Sequence, residues 1–272
     1  MKTMTNQEIL SASSSILKRA KQLGVHLAGF ANIDDLEVAP SFVFAPQLPI
    51  LDKVIGTFEG EMELNPGEVK WPKEAKSILV VAVEHPEDKP ELDWWYGKKS
   101  PSGNRLLINA IKALCEWVPT NFDIDVFHFP YSIEHGGIYL KDAAVMAGLG
   151  CIGRNNLLVT PDFGPRVRLR AMALSVPIPS TGPSGFDPCI RCDDLCRKAC
   201  PQHAFDKRIY SPETCNLAIL PGRDGSYSRP TCHTQIRKDS EAAKEQVPEG
   251  FSKSVKVFKF CRNCEWSCPV GK

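Results

Sequence analysis

The spacing of apolar positions predicts alternating helices and strands along the first 180 residues. Ile9, Ile16, Ala20 and Leu23 recur at helical intervals. Thr5 and Glu8 have the spacing of a capping box, in which each end satisfies a free N–H of the first turn. Gly24 can close that helix, and Val25 to Phe30 reads as a strand. Pro40, Pro46, Pro49, Pro66 and Pro72 then predict loops and short pieces over 39–72. Ser77 to Val83 (SILVVAV) is short, apolar and β-branched, which suits a strand buried on both faces. Gly103 to Trp117 carries Leu106, Leu107, Ala110, Ile111 and Leu114 on one stripe and predicts a helix, with Cys115 as a small core residue. Phe122 to Phe129 alternates as a half-buried strand. Residues 137–147 predict a helix ended by Gly148-Leu149-Gly150, and Arg166 to Val176 alternates again.

The texture changes at Pro177. Pro177, Pro179, Gly182, Pro183, Gly185 and Pro188 form a linker-like stretch, and the chain beyond it lacks long periodic segments. The expected organisation is a mixed α/β domain over 1–180 and a small domain over 181–272. The polar residues 223–250 are expected to form a surface excursion. The longest plain aliphatic run, Ile78 to Val83, is far short of the roughly 20 apolar residues of a membrane helix. The N-terminus has neither the apolar run of a signal peptide nor a twin arginine, so the expected location is cytoplasmic, without a membrane partner. With 33 Lys+Arg against 32 Asp+Glu, nothing in the overall charge pulls toward nucleic acid.

The 11 cysteines change the picture, because nine of them lie between 189 and 268. A cytosolic chain does not keep that many for disulfides. The first run is Cys189-x2-Cys192-x3-Cys196-x3-Cys200-Pro201, and the second is Cys261-x2-Cys264-x3-Cys268-Pro269. Two-cluster ferredoxins use C-x2-C-x2-C-x3-C-P, where the cysteine before proline serves the other cluster. Two [4Fe–4S] clusters need eight thiolates; the runs supply seven, and Cys215 or Cys232 can supply the last. Zinc is the alternative, since C-x2-C pairs also build zinc knuckles. The double Cys-Pro ending favours clusters.

A second motif lies upstream. The helix ends in Ala147-Gly148-Leu149-Gly150-Cys151-Ile152-Gly153-Arg154, followed by Asn155 and Asn156. Glycines at 148, 150 and 153 permit unusual backbone angles or close approach, whether as a helix cap or beside something large and flat. Together with the cysteine pattern and the stretch Trp71 to Lys76 before the SILVVAV strand, this segment resembles the family of epoxyqueuosine reductases and cobalamin-dependent reductive dehalogenases. Their hallmark is A-G-L-G-W-I-G-K followed by a double ferredoxin motif. The resemblance covers roughly residues 5–270.

The resemblance implies an α/β (α+β) fold: a nitroreductase-like cobalamin-binding core followed by a ferredoxin-like module with two [4Fe–4S] clusters. It implies an oxidoreductase in which the clusters pass electrons to a corrinoid that reduces the substrate. Cys189, Cys192, Cys196 and Cys268 would hold the cluster nearer the cobalt. Cys200, Cys215, Cys261 and Cys264 would hold the second, leaving Cys232 without a role. Glu134 falls where the family has its catalytic Asp and would act as general acid. Gly153, Arg154, Asn155 and Asn156 match the stretch that contacts the corrin.

The chain departs from the family's pattern at four points. Glu134 replaces Asp, Cys151 replaces Trp, and the first run has an x3 gap. The chain also ends four residues after Cys268, without the helical-repeat region that helps hold tRNA in the family, which puts tRNA binding in doubt. The expected partners are an external one-electron donor of ferredoxin or flavodoxin type and a small-molecule or modified-nucleoside substrate. The other reading is an electron-transfer or activating protein that reduces a partner's cofactor without turnover of its own. His135, Tyr131, Tyr139, the pair Lys98-Lys99, the series Arg166, Arg168 and Arg170, and the run Trp94 to Tyr96 are secondary candidates. Ordinary structural or solvated roles are the default for each.

Overall fold

A computed structural model describes residues 4–47, 68–97, 99–131 and 133–272, without the side chains of Glu134 and Thr214. Pro49, Pro66 and Lys98 lie outside the described residues. Helix α1 (Asn6–Gln22) starts on the capping box: the Thr5 side chain accepts from the Glu8 N–H, and Glu8 accepts from the Thr5 N–H. It ends before Gly24, whose φ of +84° reverses the chain. Strand β1 (Leu27–Asn32) follows, then β2 (Ser77–Glu84), helix α2 (Ser102–Asn121), the short β3 (Val126–His128), helix α3 (Leu140–Met146) and β4 (Val167–Leu174).

The four strands form one sheet in the order β1-β2-β4-β3, with every pair antiparallel. Ser77 on β2 and Val126 on β3 both stand opposite Leu174, on its two sides. The unbroken apolar run of β2 reflects burial on both faces. Leu79, Val81 and Val83 pack with Phe30, Met172 and the buried stripes of α1 and α2. Ile78, Val80 and Ala82 face a second core that includes Ala143, Ala144, Ala147 and Leu149 from α3 and the turn after it. The result is a helix–sheet–helix sandwich of mixed α and β structure.

Three elements differ in extent from the periodicity. Helix α2 continues to Asn121 and takes in Pro119. Phe122 then closes α2, its N–H donating to the Val118 carbonyl, so only Val126–His128 of the expected strand is left to pair. Helix α3 begins at Leu140 rather than 137, because Gly136 has φ +83° and breaks the chain ahead of it. Within 223–250 stands a 13-residue helix, α4 (Arg229–Glu241), followed by Lys244–Gln246, which pairs with Val255–Phe258. Helix α4 buries none of its residues, so no apolar stripe announces it.

The linker-like stretch is pinned to the sandwich. The Thr181 N–H donates to Phe30 O at 2.9 Å, the Thr181 hydroxyl to Ala147 O at 2.7 Å, and the Gly182 N–H to Met146 O at 2.9 Å. Trp95–Tyr96 pairs with Val257–Phe258, so a strand pair joins the two parts of the chain.

Candidate functional site

Four cysteine side chains from two distant segments line one cavity. Cys189, Cys192, Cys196 and Cys268 line a small, partly open pocket together with Arg154, Asn155, Val159, Pro188, Pro269 and Val270. Burial pushes the Cys196 thiol up to about 11, and Cys268, Cys192 and Cys189 add to the rise. Thiols that repel one another's charge in this way need a cationic group between them to ionise together. Among the described residues, no three His, Cys, Asp or Glu side chains are close enough to hold a single metal ion.

The second cysteine run is anchored by arginines, of which Arg166 and Arg262 are buried. Arg166 donates to the carbonyls of Cys268, at 3.2 Å, and Val270. Arg262 donates to His85 O at 2.6 Å, pairs with Asp93 at 2.7 Å, and also bonds Glu265. Arg168 completes the network, reaching Asp93 at 2.8 Å and Glu265 at 3.1 Å. Burial works against the Asp93 carboxylate, but His85, Arg168 and Arg262 outweigh it and hold its pKa below the ordinary value. Asp93, His85, Arg262 and Glu265 carry no local sequence signal; only their meeting in space identifies them.

The glycine-rich segment is built against the protein's own backbone. A Cβ on Gly150 would stand 2.1 Å from Val159 O, and one on Gly148 would stand 2.8 Å from Thr181 O. The close approach that glycine permits is therefore internal. The side chains that follow are likewise engaged. Arg154 pairs with Asp194 at 2.7 Å, and its carbonyl accepts from Arg197 at 3.0 Å. Asn155 is buried and donates to Cys264 O at 3.3 Å. Asn156, at φ +58°, accepts from the Gly222 N–H through its side chain and from Lys141 through its carbonyl. Gly153 closes the turn, its N–H donating to Leu157 O. The stretch 153–156 thus joins the sandwich to the cysteine-rich part.

Beside it opens a cleft of about 420 Å³ lined by Pro40, Ser41, Phe44, Lys141, Asp142, Ile152, Asn156 and Ile219–Pro221. Asp142 is buried, and its Oδ2 has no hydrogen-bond partner. Burial raises the Asp142 pKa, and burial lowers that of Lys141 to about 8.

A second thiol group gathers around α4. Cys232 lies within electrostatic reach of Cys200, Cys261 and Cys264. Cys215 packs with Phe44 and Leu220 in a small apolar cluster flanked by Tyr210 and Leu217. Cys151 is half-buried, near Cys189 and Cys268, and burial pushes its thiol up to about 12.

Glu134 lies on the single 3₁₀ turn Ile133–His135, and its side chain is outside the described residues. Of the secondary candidates, Tyr139 is buried edge-on to Phe42, Tyr131 lies under the Arg170 guanidinium, and Lys99 stands over Phe251. Trp94 carries the Lys259 ammonium over its ring, and Cys115 packs at the edge of the first core. His135 carries an interaction of its own. Among the described residues no helix is long and apolar enough to cross a membrane.

An antiparallel sheet between helices, followed by a cysteine-rich stretch packed against it, defines a mixed α/β fold. The chain resembles epoxyqueuosine reductases and reductive dehalogenases. It is 26% identical over 278 residues to an epoxyqueuosine reductase of Lactococcus garvieae, covering 96% of this chain and 70% of that one. Its fold matches the crystal structure of an epoxyqueuosine reductase with an epoxyqueuosine-modified tRNA-Tyr stem loop, with a TM-score of 0.62 and 20% identity, covering 97% of this chain and 66% of that one. It also matches a reductive dehalogenase whose structure suggests a mechanism for B12-dependent dehalogenation, with a TM-score of 0.57 and 15% identity over 95% of this chain and 32% of that one. No protein-family model matches. The chain thus spans about two thirds of the length of the epoxyqueuosine reductases it resembles. The likeness to reductases supports an oxidoreductase.

Proposed function

We propose that this protein is a cobalamin-dependent iron–sulfur reductase acting on a modified nucleoside or another small molecule. The observation that carries the reading is that Cys189, Cys192, Cys196 and Cys268 line one pocket together with Arg154 and Asn155 of the glycine-rich segment. That donor set fits a cubane, which takes four thiolates on the corners of a body larger than one ion. A single zinc would draw its ligands into a tight tetrahedron.

For the corrin, the residues on offer are those of the cleft beside the cavity. The unpartnered Asp142 Oδ2 suits the amide-fringed edge of a corrin, which brings N–H donors. Gly153, Arg154, Asn155 and Asn156 would form the shared wall, with Ile152 and Asn156 facing the cleft. When bound, the clusters and the corrin supply single electrons from an external ferredoxin- or flavodoxin-type donor and the reducing metal centre.

The protein's own part is placement and proton supply. The turn Ile133–His135 holds Glu134 ahead of α3, where its carboxylic acid would protonate the oxygen that leaves. The test is product formation by the reconstituted protein under a low-potential donor, with free epoxyqueuosine and an epoxyqueuosine-bearing tRNA stem loop offered separately. Cobalamin-dependent reduction of either supports the reading, and the better substrate of the two identifies the partner. Reduction that proceeds equally without cobalamin contradicts it.

A further inference from the structure

We propose that Cys232, carried on α4, is the fourth thiolate of the second cluster in place of Cys215. The proposal rests on the two-cluster reading above.

Helix α4 is held across both cysteine runs. At its start, the Ser228 N–H donates to Ala204 O at 2.8 Å, just beyond Cys200-Pro201. One turn in, Gln202 donates to the Gln235 side chain at 2.7 Å. Near its end, Asp239 Oδ2 accepts the backbone N–H of Cys261 at 2.8 Å. Positions 232, 235 and 239 fall on one helical stripe. The stripe that grips the Cys200 loop and the Cys261 turn therefore presents Cys232 between them. The same arrangement accounts for its proximity to Cys200, Cys261 and Cys264.

Cys215 is otherwise engaged. It is 8% exposed and packs with Phe44 of the sandwich and with Leu220, while Tyr210 stands edge-on to Phe44 at 5.0 Å. Its surroundings are those of a small core residue.

Helix α4 also needs an anchor. A helix with no buried residue gains little from apolar packing, and a polar helix of this length is marginal alone. A backbone bond at Ser228 and the side chains of Gln235 and Asp239 hold it, and a thiolate–iron bond near its start would fix the rest. Tyr227, which hydrogen-bonds the Cys232 thiol, would then donate to a cluster sulfur and tune its potential.

The test compares Cys232→Ser and Cys215→Ser with wild type, all purified anaerobically, by iron and sulfide content and by the EPR spectrum after reduction. Wild type and Cys215→Ser should hold about eight iron per chain, and Cys232→Ser about half as much, with one reduced-cluster signal lost. Tyr227→Phe keeps all ligands and should move the midpoint potential of one cluster to a more negative value. The proposal is overturned if Cys215→Ser loses the second cluster, or if Cys232→Ser or Tyr227→Phe leaves iron, spectra and potentials as in wild type. A wild-type protein without iron and sulfide overturns the two-cluster reading itself, a result separate from either variant's.

Discussion

The side-chain amide of Asn155 donates to the backbone carbonyl of Cys264, 109 residues further along the chain, at 3.3 Å. This bond ties the turn after the glycine-rich helix end to the second cysteine run. It gives a physical reason for the two motifs to occur together: one positions the other. Asn155 is 3% exposed, and its Oδ1 also accepts the Leu157 N–H at 3.2 Å. Asn155→Ala removes the side-chain partners of two part-buried backbone groups, at a cost of about 1 kcal/mol. The expected outcome is a lower urea midpoint together with reduced iron content, measured on the same preparation. Unchanged values for both would remove Asn155 from the account.

The Asp93 network makes a pH-dependent contribution of definite sign. Its carboxylate is held below the ordinary pKa in the folded protein. The stability it confers is therefore fully present above the unfolded-state pKa of about 4. It is lost as pH falls through the lowered folded-state value. Asp93→Asn removes one of the two carboxylates, Asp93 and Glu265, that Arg168 and Arg262 share, and should cost less than the roughly 3–5 kcal/mol of a buried pair broken outright. The difference in denaturation midpoint between wild type and variant should be constant from pH 7 to pH 5 and shrink below pH 4. A difference that grows with acidification would reverse the assignment.

Gly150 should not tolerate a side chain. A Cβ there meets Val159 O at 2.1 Å, between the short strands Cys151–Ile152 and Leu158–Val159. Gly150→Ala is expected to destabilise by about 1–3 kcal/mol through overpacking. Gly185→Ala is the matched control, because a Cβ at Gly185 meets nothing within 4 Å. Thermal melts of the two variants should separate clearly; equal melts would contradict the packing argument.

Glu134→Gln tests the proton-supply role. The variant should keep wild-type iron content and cobalamin binding while turnover falls about 10²–10⁴-fold, the usual weight of general acid–base catalysis. Full turnover by this variant, with cluster variants inactive, would favour the electron-transfer reading over catalysis on this chain.

Most of the sandwich was legible in local pattern. The Thr5–Glu8 box, the SILVVAV strand and the stripe of α2 announce themselves because each is set locally: by a hydrogen-bonded pair three residues apart, by an apolar run buried on both faces, and by one helical stripe. Helix α4 does not, because polar contacts made by Gln235 and Asp239 hold it, and these leave no hydrophobic period. The cysteine spacings point to seven candidate thiols, and our choice of the eighth rests on placement in three dimensions. Cys215 and Cys232 both stand between the runs in sequence, and only the packing of Phe44 against one and the placement of α4 under the other separate them. The anchoring arginines were equally hidden: Arg168 and Arg262 find Asp93 from 75 and 169 residues away.

The central claim is that the two cysteine groups and the glycine-rich segment form one electron path to a corrin. Its most direct measurement is the anaerobic absorbance and EPR spectrum of the iron-loaded protein with and without added cobalamin. The account predicts about eight iron per chain and a cobalamin spectrum that changes on binding and again on reduction through the clusters. Zinc in place of iron, or a cluster-loaded protein whose spectra are indifferent to cobalamin, would contradict it.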